Sequence, residues 1–147
     1  PAQIAYGLAT TDWETAHTFK PVREAFWETE AWRKENLRYF PYYGRGYVQL
    51  TWKRDYSIYG DILGLDLVTD PDLALRPDVA LFVLGHGMKT GAFTGRGLGH
   101  YVNATETDFI NARRVIDGTS KASEIAALAE GFLKQLKAKK PAVAATR

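Results

Sequence analysis

The segment Tyr39–Leu50 constrains the fold of this chain most, because it is dense in aromatic residues and interrupted by glycine. It reads Tyr-Phe-Pro-Tyr-Tyr-Gly-Arg-Gly-Tyr-Val-Gln-Leu, and it belongs to a longer stretch, residues 39–59, that holds eight aromatic residues. Aromatic residues favour extended backbone, and closely spaced glycines favour a tight turn. We therefore predict a β-hairpin or small sheet over residues 39–52.

The sequence on either side of this segment has the patterning of helices. Apolar residues recur at helical spacing, and proline and glycine mark several of the ends. The predicted helices cover residues 3–17, 28–35, 52–62, 77–90, 106–116 and 120–138. Thr105 with Asp108 resembles a weakened capping box, which predicts the start of the fifth of these helices. The predicted fold class is mainly α (α+β), with a small β-hairpin or sheet beside a substrate cleft.

Composition narrows the function classes. At 147 residues the chain has the length of one domain, and it contains no cysteine, which excludes a disulfide framework and a Cys nucleophile. Residues 1–112 carry 11 Lys/Arg against 14 Asp/Glu, whereas residues 113–147 carry 8 against 3. A body without a basic patch does not fit a nucleic-acid-binding domain. No apolar run reaches the length of a membrane span, so we expect neither nucleic-acid binding nor membrane insertion.

Nucleophile and metal chemistry find little support in the sequence. No serine stands in a Gly-x-Ser-x-Gly elbow, and His17, His86 and His100 form no closely spaced metal-binding pair. We therefore expect no metal and no cofactor, and surface or packing roles for the three histidines.

Two glutamates near the N-terminus lie in contrasting surroundings. Glu14 follows Trp13 at the end of an apolar helix, where desolvation beside the indole favours the neutral form that a general acid needs. Glu24 lies beside Arg23, which favours the ionised form that a general base needs. Such a pair is the arrangement of a glycoside hydrolase. The alternative is that both are solvated surface residues.

The aromatic segment also fits the lining of a polysaccharide groove. Tyrosine and tryptophan offer the flat faces and hydroxyl groups of sugars both stacking area and a hydrogen-bonding group. Such residues alternate here with polar ones: Tyr42, Tyr43, Arg45, Tyr47, Gln49, Thr51 and Trp52. The alternative is that alternate aromatic side chains form the core face of the sheet.

The run Tyr43–Trp52, Tyr-Gly-Arg-Gly-Tyr-Val-Gln-Leu-Thr-Trp, resembles the signature of glycoside hydrolase family 19. That family includes plant-type chitinases and phage and prophage endolysins. Residues 9–15, 21–24, 70–74 and 113–118 are similar to further blocks of the family. The resemblance implies a lysozyme-like catalytic domain over residues 1–138. The composition of residues 139–147 predicts a flexible basic tail after it.

The resemblance also implies roles for individual residues in an inverting mechanism. Glu14 would protonate the leaving glycosidic oxygen, Glu24 would activate the attacking water, and Thr51 would help to hold that water. The residues expected to bind the substrate are Tyr43, Arg45, Gln49, Trp52, Asp55 and Asp117.

Three positions depart from the family pattern. Trp13 stands where the family usually has histidine, and Asp55 and Asp117 stand where it often has asparagine. Ionised aspartate only accepts hydrogen bonds, whereas asparagine also donates them, so the contacts of these two residues with sugar would differ.

The absence of cysteine bears on the substrate. Plant-type members are longer and disulfide-bonded, so this chain resembles the bacterial and phage branch, whose usual substrate is peptidoglycan. The resemblance implies a monomeric muramidase that binds peptidoglycan glycan strands and cleaves the β-1,4 bond between N-acetylmuramic acid and N-acetylglucosamine. No signal peptide is visible, so we expect synthesis in the host cytoplasm and action at the bacterial cell wall during lysis. The alternatives are a chitinase and a non-catalytic glycan-binding module.

Overall fold

The computed structural model describes the backbone of residues 1–145 and the side chains of residues 1–139. Its helices and strands are α1 (Ala2–Glu14), β1 (Val22–Arg23), α2 (Glu30–Asn36), β2 (Arg45–Gly46), α3 (Lys53–Leu63), α4 (Pro77–Thr90) and α5 (Ala122–Ala145). Short 3-10 helices cover Pro71–Leu75, Leu98–His100 and Asn111–Val115. The predicted class, mainly α with a small β element, is confirmed.

The chain divides into two units, which we describe separately. One is Glu14–Leu84, and the other is Pro1–Trp13 together with the chain from Gly85 onward.

The sheet lies in the unit Glu14–Leu84. Strands β1 and β2 are antiparallel, with Val22 paired to Gly46 and Arg23 to Arg45. Arg45 also exchanges two backbone hydrogen bonds with Leu50, of 3.1 and 2.9 Å, which close a tight loop. The aromatic segment thus forms the predicted turn, but its partner strand is a two-residue segment too short to show the alternation of a strand in sequence.

Local signals set several of the helix ends. The Thr29 side chain accepts the N–H of Trp32 at 3.1 Å and caps α2. Helix α3 ends at Leu63 and is capped by Gly64, which adopts a left-handed conformation with φ 67°. Helix α4 begins at Pro77 and ends at Thr90, as predicted.

Helix α1 is shorter than predicted. It ends at Glu14, not at residue 17, and Ala16, His17 and Phe19 adopt left-handed conformations with φ of 52°, 67° and 56°. The Thr15 hydroxyl accepts the N–H of Phe19 at 2.9 Å, so a side chain replaces the helical carbonyl as the local acceptor. A tight turn therefore follows Glu14 directly.

The second unit contains the clearest error of the sequence prediction. Residues 106–116 form only the 3-10 helix Asn111–Val115. The Asp108 carboxylate accepts the N–H of Asn111 at 3.0 Å, whereas Thr105 donates its N–H to the Asn103 side chain at 3.0 Å. The predicted capping box is therefore wrong, because the polar side chains close local turns before a helix can begin.

Helix α5 packs on this unit through an apolar stripe in which Ile125 and Ala129 are fully buried. It continues to Ala145, past the predicted end at residue 138. The predicted flexible tail over residues 139–147 falls almost entirely beyond the described side chains and stays a prediction. Among the described residues, no helix combines the length and apolar character needed to cross a membrane.

Candidate active site

The carboxylate of Glu24 is held by two hydrogen-bond donors. The Tyr39 hydroxyl donates to Oε2 at 2.6 Å, and the backbone N–H of Gly44 donates to Oε1 at 2.9 Å. The Glu24 N–H returns a bond of 2.7 Å to the Gly44 carbonyl, next to the paired strands. Glu24 is half-buried, and each of its carboxylate oxygens keeps a lone pair for a further donor such as water.

The Tyr39 hydroxyl stays protonated and can therefore donate its hydrogen bond to Glu24 at neutral pH. Burial, and then its hydrogen bond to Glu24, raises the pKa of Tyr39 to about 12. The phenol therefore keeps its proton across the neutral pH range. The sequence analysis placed Tyr39 only within the aromatic segment, and its role depends on a contact across fifteen residues that no local pattern shows.

Arg33 fixes the backbone around Glu24. Its Nε donates to the carbonyl oxygen of Glu24 at 2.9 Å, and Nη2 donates to that of Ala25 at 3.0 Å. The side chain is buried, and its guanidinium lies 5.4 Å from the centre of the Tyr43 ring. In sequence, Arg33 is one of several charged residues on the short helix α2. No local pattern therefore predicted that its side chain would bond to the backbone of Glu24.

The hydrogen-bond partners of Arg23 are Asp72 and Tyr43, whereas the sequence analysis considered it only as a neighbour of Glu24. Its Nη1 and Nη2 donate to the two carboxylate oxygens of Asp72 at 2.6 and 3.1 Å, and Nη1 also donates to the Tyr43 hydroxyl at 2.7 Å. The hydrogen bond from Arg23 holds the pKa of Asp72 below its usual value. Strand β1 ends at Arg23 and a turn begins at Glu24, and the two side chains have different hydrogen-bond partners. The donors that orient Glu24 are instead Tyr39 and Gly44.

Arg45 lies in the interior of this unit, only 3% exposed. Its Nε donates to Asp72 at 3.0 Å, and its Nη1 donates to the Pro41 carbonyl and the Tyr56 hydroxyl, each at 2.9 Å. Its guanidinium stacks 3.9 Å from the centre of the Tyr43 ring. Tyr43 is fully buried as well. Tyr43 and Arg45 are therefore part of the packed interior on either side of Gly44 in the chain. Their contact with substrate stays a prediction.

Gly44 contacts both Glu24 and Gln49. The Gln49 side chain is packed so closely that its Oε1 lies 2.6 Å from where a Cβ on Gly44 would stand. Gln49 itself is left-handed, with φ 61°, and its Nε2 donates to the Val22 and Gly46 carbonyls at 3.3 and 3.4 Å. A residue without a side chain is therefore required at position 44.

Substituting Gly44→Ala is expected to destabilise the protein by about 1–3 kcal/mol and to lower kcat, because the new methyl group must displace Gln49 beside the Glu24 carboxylate. Gly131→Ala is the matched control, since nothing lies within 4 Å of a Cβ there and alanine favours the helix interior. Thermal unfolding and turnover of both variants check this, and equal stability of the two variants would contradict it.

Thr51 and Trp52 follow the loop. The Thr51 hydroxyl donates to the Gln49 carbonyl at 2.9 Å, which leaves its oxygen lone pairs as acceptors. The half-exposed Trp52 ring lies 4.8 Å from the Tyr39 ring, and the Arg38 guanidinium stands 5.5 Å above it. Through Tyr39, Trp52 is therefore one contact away from Glu24.

The remaining predicted residues are Glu14, Asp55 and Asp117. Glu14 is the half-buried last residue of α1. Asp55 lies in the first turn of α3. Burial raises the pKa of Asp55, although the positive charge of Arg54 acts in the opposite direction. Asp117 belongs to the other unit and accepts the N–H of Gly118 at 2.8 Å. The roles of these three residues stay predictions. No cluster of three possible metal ligands occurs among the described side chains.

Comparison with solved structures defines the class of fold. The chain superposes on chitinase C from Streptomyces griseus HUT6037 with a TM-score of 0.62 and 21% sequence identity, covering 90% of this chain and 58% of that one. The fold is therefore the lysozyme-like helical fold of chitinases of this type. A sequence model of the family described as chitinase class I matches residues 10–85. The chain belongs to glycoside hydrolase family 19, as the sequence motifs predicted.

Curated relatives match a shorter segment. Chitinase 11 of Oryza sativa subsp. japonica is 57% identical over 42 residues, which are 29% of this chain and 16% of that protein. Inactive chitinase-like protein 1 of Hevea brasiliensis is 49% identical over 41 residues, which are 28% of this chain and 13% of that protein. This chain thus matches only a small part of these relatives. Every predicted site residue except Asp117 lies within the segment 10–85 that matches the family.

Proposed function

We propose that this chain forms the catalytic part of a glycoside hydrolase that cleaves β-1,4 bonds in polymers of N-acetylglucosamine. The observation that carries the proposal is the Glu24 carboxylate, oriented by Tyr39 and Gly44 within the family segment. The names of the related chitinases support N-acetylglucosamine polymers as the substrate class.

Glu24 is the proposed general base. Its two donors fix the carboxylate while leaving lone pairs free to accept a proton from water. Thr51 gives its hydroxyl proton to the Gln49 carbonyl, so its oxygen is available to accept the other hydrogen of that water. In this proposal Glu24 and Thr51 orient one water molecule, and Glu24 removes a proton from it.

Glu14 is the proposed general acid, and the reaction inverts the anomeric centre. The acid protonates the glycosidic oxygen as the bond to the anomeric carbon breaks, while water attacks from the opposite face. This arrangement requires a gap of about 6.5–9.5 Å between the two carboxyl groups. The half-exposed Trp52 offers an aromatic face to a sugar ring.

Peptidoglycan is the second candidate substrate, with action at the bacterial cell wall. Its glycan strands share the β-1,4 linkage and the acetamido groups of chitin, so the same water-activating site serves both. The observation that favours it is the absence of cysteine, which separates this chain from the disulfide-bonded plant-type branch.

A non-catalytic glycan-binding role is the third candidate. The relative from Hevea brasiliensis is named inactive although it is 49% identical over 41 residues. Likeness in this segment therefore accompanies both active and inactive proteins, and turnover has to be measured.

Glu14→Gln is expected to lower the rate of hydrolysis of N-acetylglucosamine oligomers by about 10²–10⁴-fold, because an amide cannot protonate the leaving oxygen. The exposed Glu130 on α5 provides the control, and Glu130→Gln is expected to keep full activity. Oligomers and purified peptidoglycan are incubated with each protein, and the reducing ends and the first anomer formed are identified.

The products discriminate between the candidates. Release of short N-acetylglucosamine oligomers, first as the α-anomer, supports the proposal. Release of muramic acid reducing ends alone would favour the second candidate, and no turnover of either substrate would favour the third. A β-anomer as first product would contradict inversion.

A further inference from the structure

Directly after Glu24 the chain makes a tight turn with two aromatic residues at its corner. The N–H of Glu28 donates to the Ala25 carbonyl at 2.9 Å, so Phe26 and Trp27 are the central residues of a β-turn. Such positions usually hold glycine, proline, asparagine, aspartate or serine. Two aromatic residues there are unexpected on grounds of turn formation alone.

The two side chains are exposed. Trp27 is 73% exposed, more than any other large apolar residue among the described side chains, and Phe26 is 51% exposed. Their rings contact each other edge to face, with centroids 5.2 Å apart. Since both are largely outside the core, hydrophobic burial does not account for them.

The turn is held in place from inside. The buried Arg33 side chain donates to the carbonyl oxygens of both Glu24 and Ala25, the residues that lead into the turn. One side chain therefore holds the backbone of Glu24, the candidate general base, and of Ala25, the first residue of the aromatic turn. A surface that is ordered before binding loses little conformational entropy when a ligand arrives.

We propose that Phe26 and Trp27 form a sugar-stacking subsite for an N-acetylated sugar of the substrate chain, beyond the unit whose bond is cleaved. The proposal rests on the proposed function, because it takes the ligand to be the glycan that Glu24 acts on. Three residues of chain span at most about 11 Å, so one oligosaccharide can contact both Glu24 and Trp27. The indole covers the apolar C–H face of a pyranose ring, and the edge-to-face Phe26 forms a second wall.

The test compares Trp27→Ala with Trp27→Phe, using the N-acetylglucosamine hexamer as the probe. Calorimetric titration in the Glu14→Gln background, which keeps the hexamer intact, is expected to show about three- to tenfold weaker binding when Trp27→Ala is added. With Glu14 in place, Trp27→Ala is expected to raise KM in proportion and to leave kcat unchanged. Trp27→Phe is expected to recover most of the affinity because it retains a flat ring. Leu81→Ala is the matched control, since Leu81 is 61% exposed on α4 and is expected to have no effect.

The outcomes separate this inference from the proposed function. Unchanged hexamer affinity in Trp27→Ala would overturn the subsite, as would self-association of the wild-type protein that this substitution abolishes without changing hexamer affinity. Binding that depends on Trp27 in a protein without turnover would support the subsite and contradict the proposed catalysis. Turnover with a KM insensitive to Trp27 would support catalysis and contradict the subsite.

Discussion

Replacing Glu24 by glutamine is expected to lower kcat on N-acetylglucosamine oligomers by about 10²–10⁴-fold, because an amide cannot take a proton from the attacking water. Glutamine has the shape of glutamate, and its Oε1 can still accept the N–H of Gly44. The substrate-binding surface is otherwise unchanged, so KM is expected to stay within a few-fold of the wild-type value. Steady-state kinetics with a defined oligomer, together with a thermal unfolding curve, check both parts.

The control for this variant is Glu35→Gln on α2, an exposed residue of the same unit. It removes the same charge without altering the hydrogen bonds that Tyr39 and Gly44 donate to Glu24, and it is expected to keep full activity. If Glu24→Gln retained kcat within tenfold of wild type while unfolding at the same temperature, Glu24 would not be the base.

Helices were predicted well where their signals are local. Helix α4 has both ends as predicted, because proline fixes the first turn and the apolar pattern is regular up to Thr90. Residues 106–116 were predicted wrongly because Asn103 and Asp108 form side-chain turns that compete with helix formation. Strand β1 was missed because two residues are too few for a periodic pattern.

The candidate site was predictable only in part. The family resemblance singled out Glu24 and the run Tyr43–Trp52, and both lie within the segment that matches the family. The donors that orient Glu24 were not predictable, because Tyr39 and Gly44 lie fifteen and twenty residues away in sequence. Arg33 escaped notice because a buried arginine and a solvated one look alike in sequence.

The sequence analysis considered Arg23 as a neighbour of Glu24, and its hydrogen-bond partners in the structure are other residues. Arg23 is the last residue of β1 and pairs with Asp72, forty-nine residues away, whereas Glu24 begins the turn that follows. Charged residues three or four apart on a helix interact regularly, but immediate neighbours in sequence need not be in contact.

Replacing Arg45 by methionine is expected to destabilise the protein by about 2–4 kcal/mol and to lower Tm by roughly 6–16 °C. The Pro41 carbonyl and the Tyr56 hydroxyl each lose a donor, and the Tyr43 ring loses the guanidinium that covers it. Methionine fills much of the same volume, so the loss comes from hydrogen bonds and charge rather than from a cavity. Thermal and urea unfolding of the purified variant measure it.

Two comparisons isolate the cause of that loss. Arg76 pairs with Asp78 on the surface, where solvent screens the charges, so Arg76→Met is expected to leave the Tm close to the wild-type value. Asp72 tests the charge, because hydrogen bonding by Arg23, with Arg45 contributing, lowers the pKa of Asp72 in the folded protein. A lowered pKa stabilises the fold above the ordinary aspartate value of about 3.9, and that contribution is lost as pH falls through the folded value. The Tm difference between wild type and Arg45→Met is therefore expected to narrow below about pH 4, whereas a constant difference from pH 7 to pH 3 would assign the whole effect to packing and neutral hydrogen bonds.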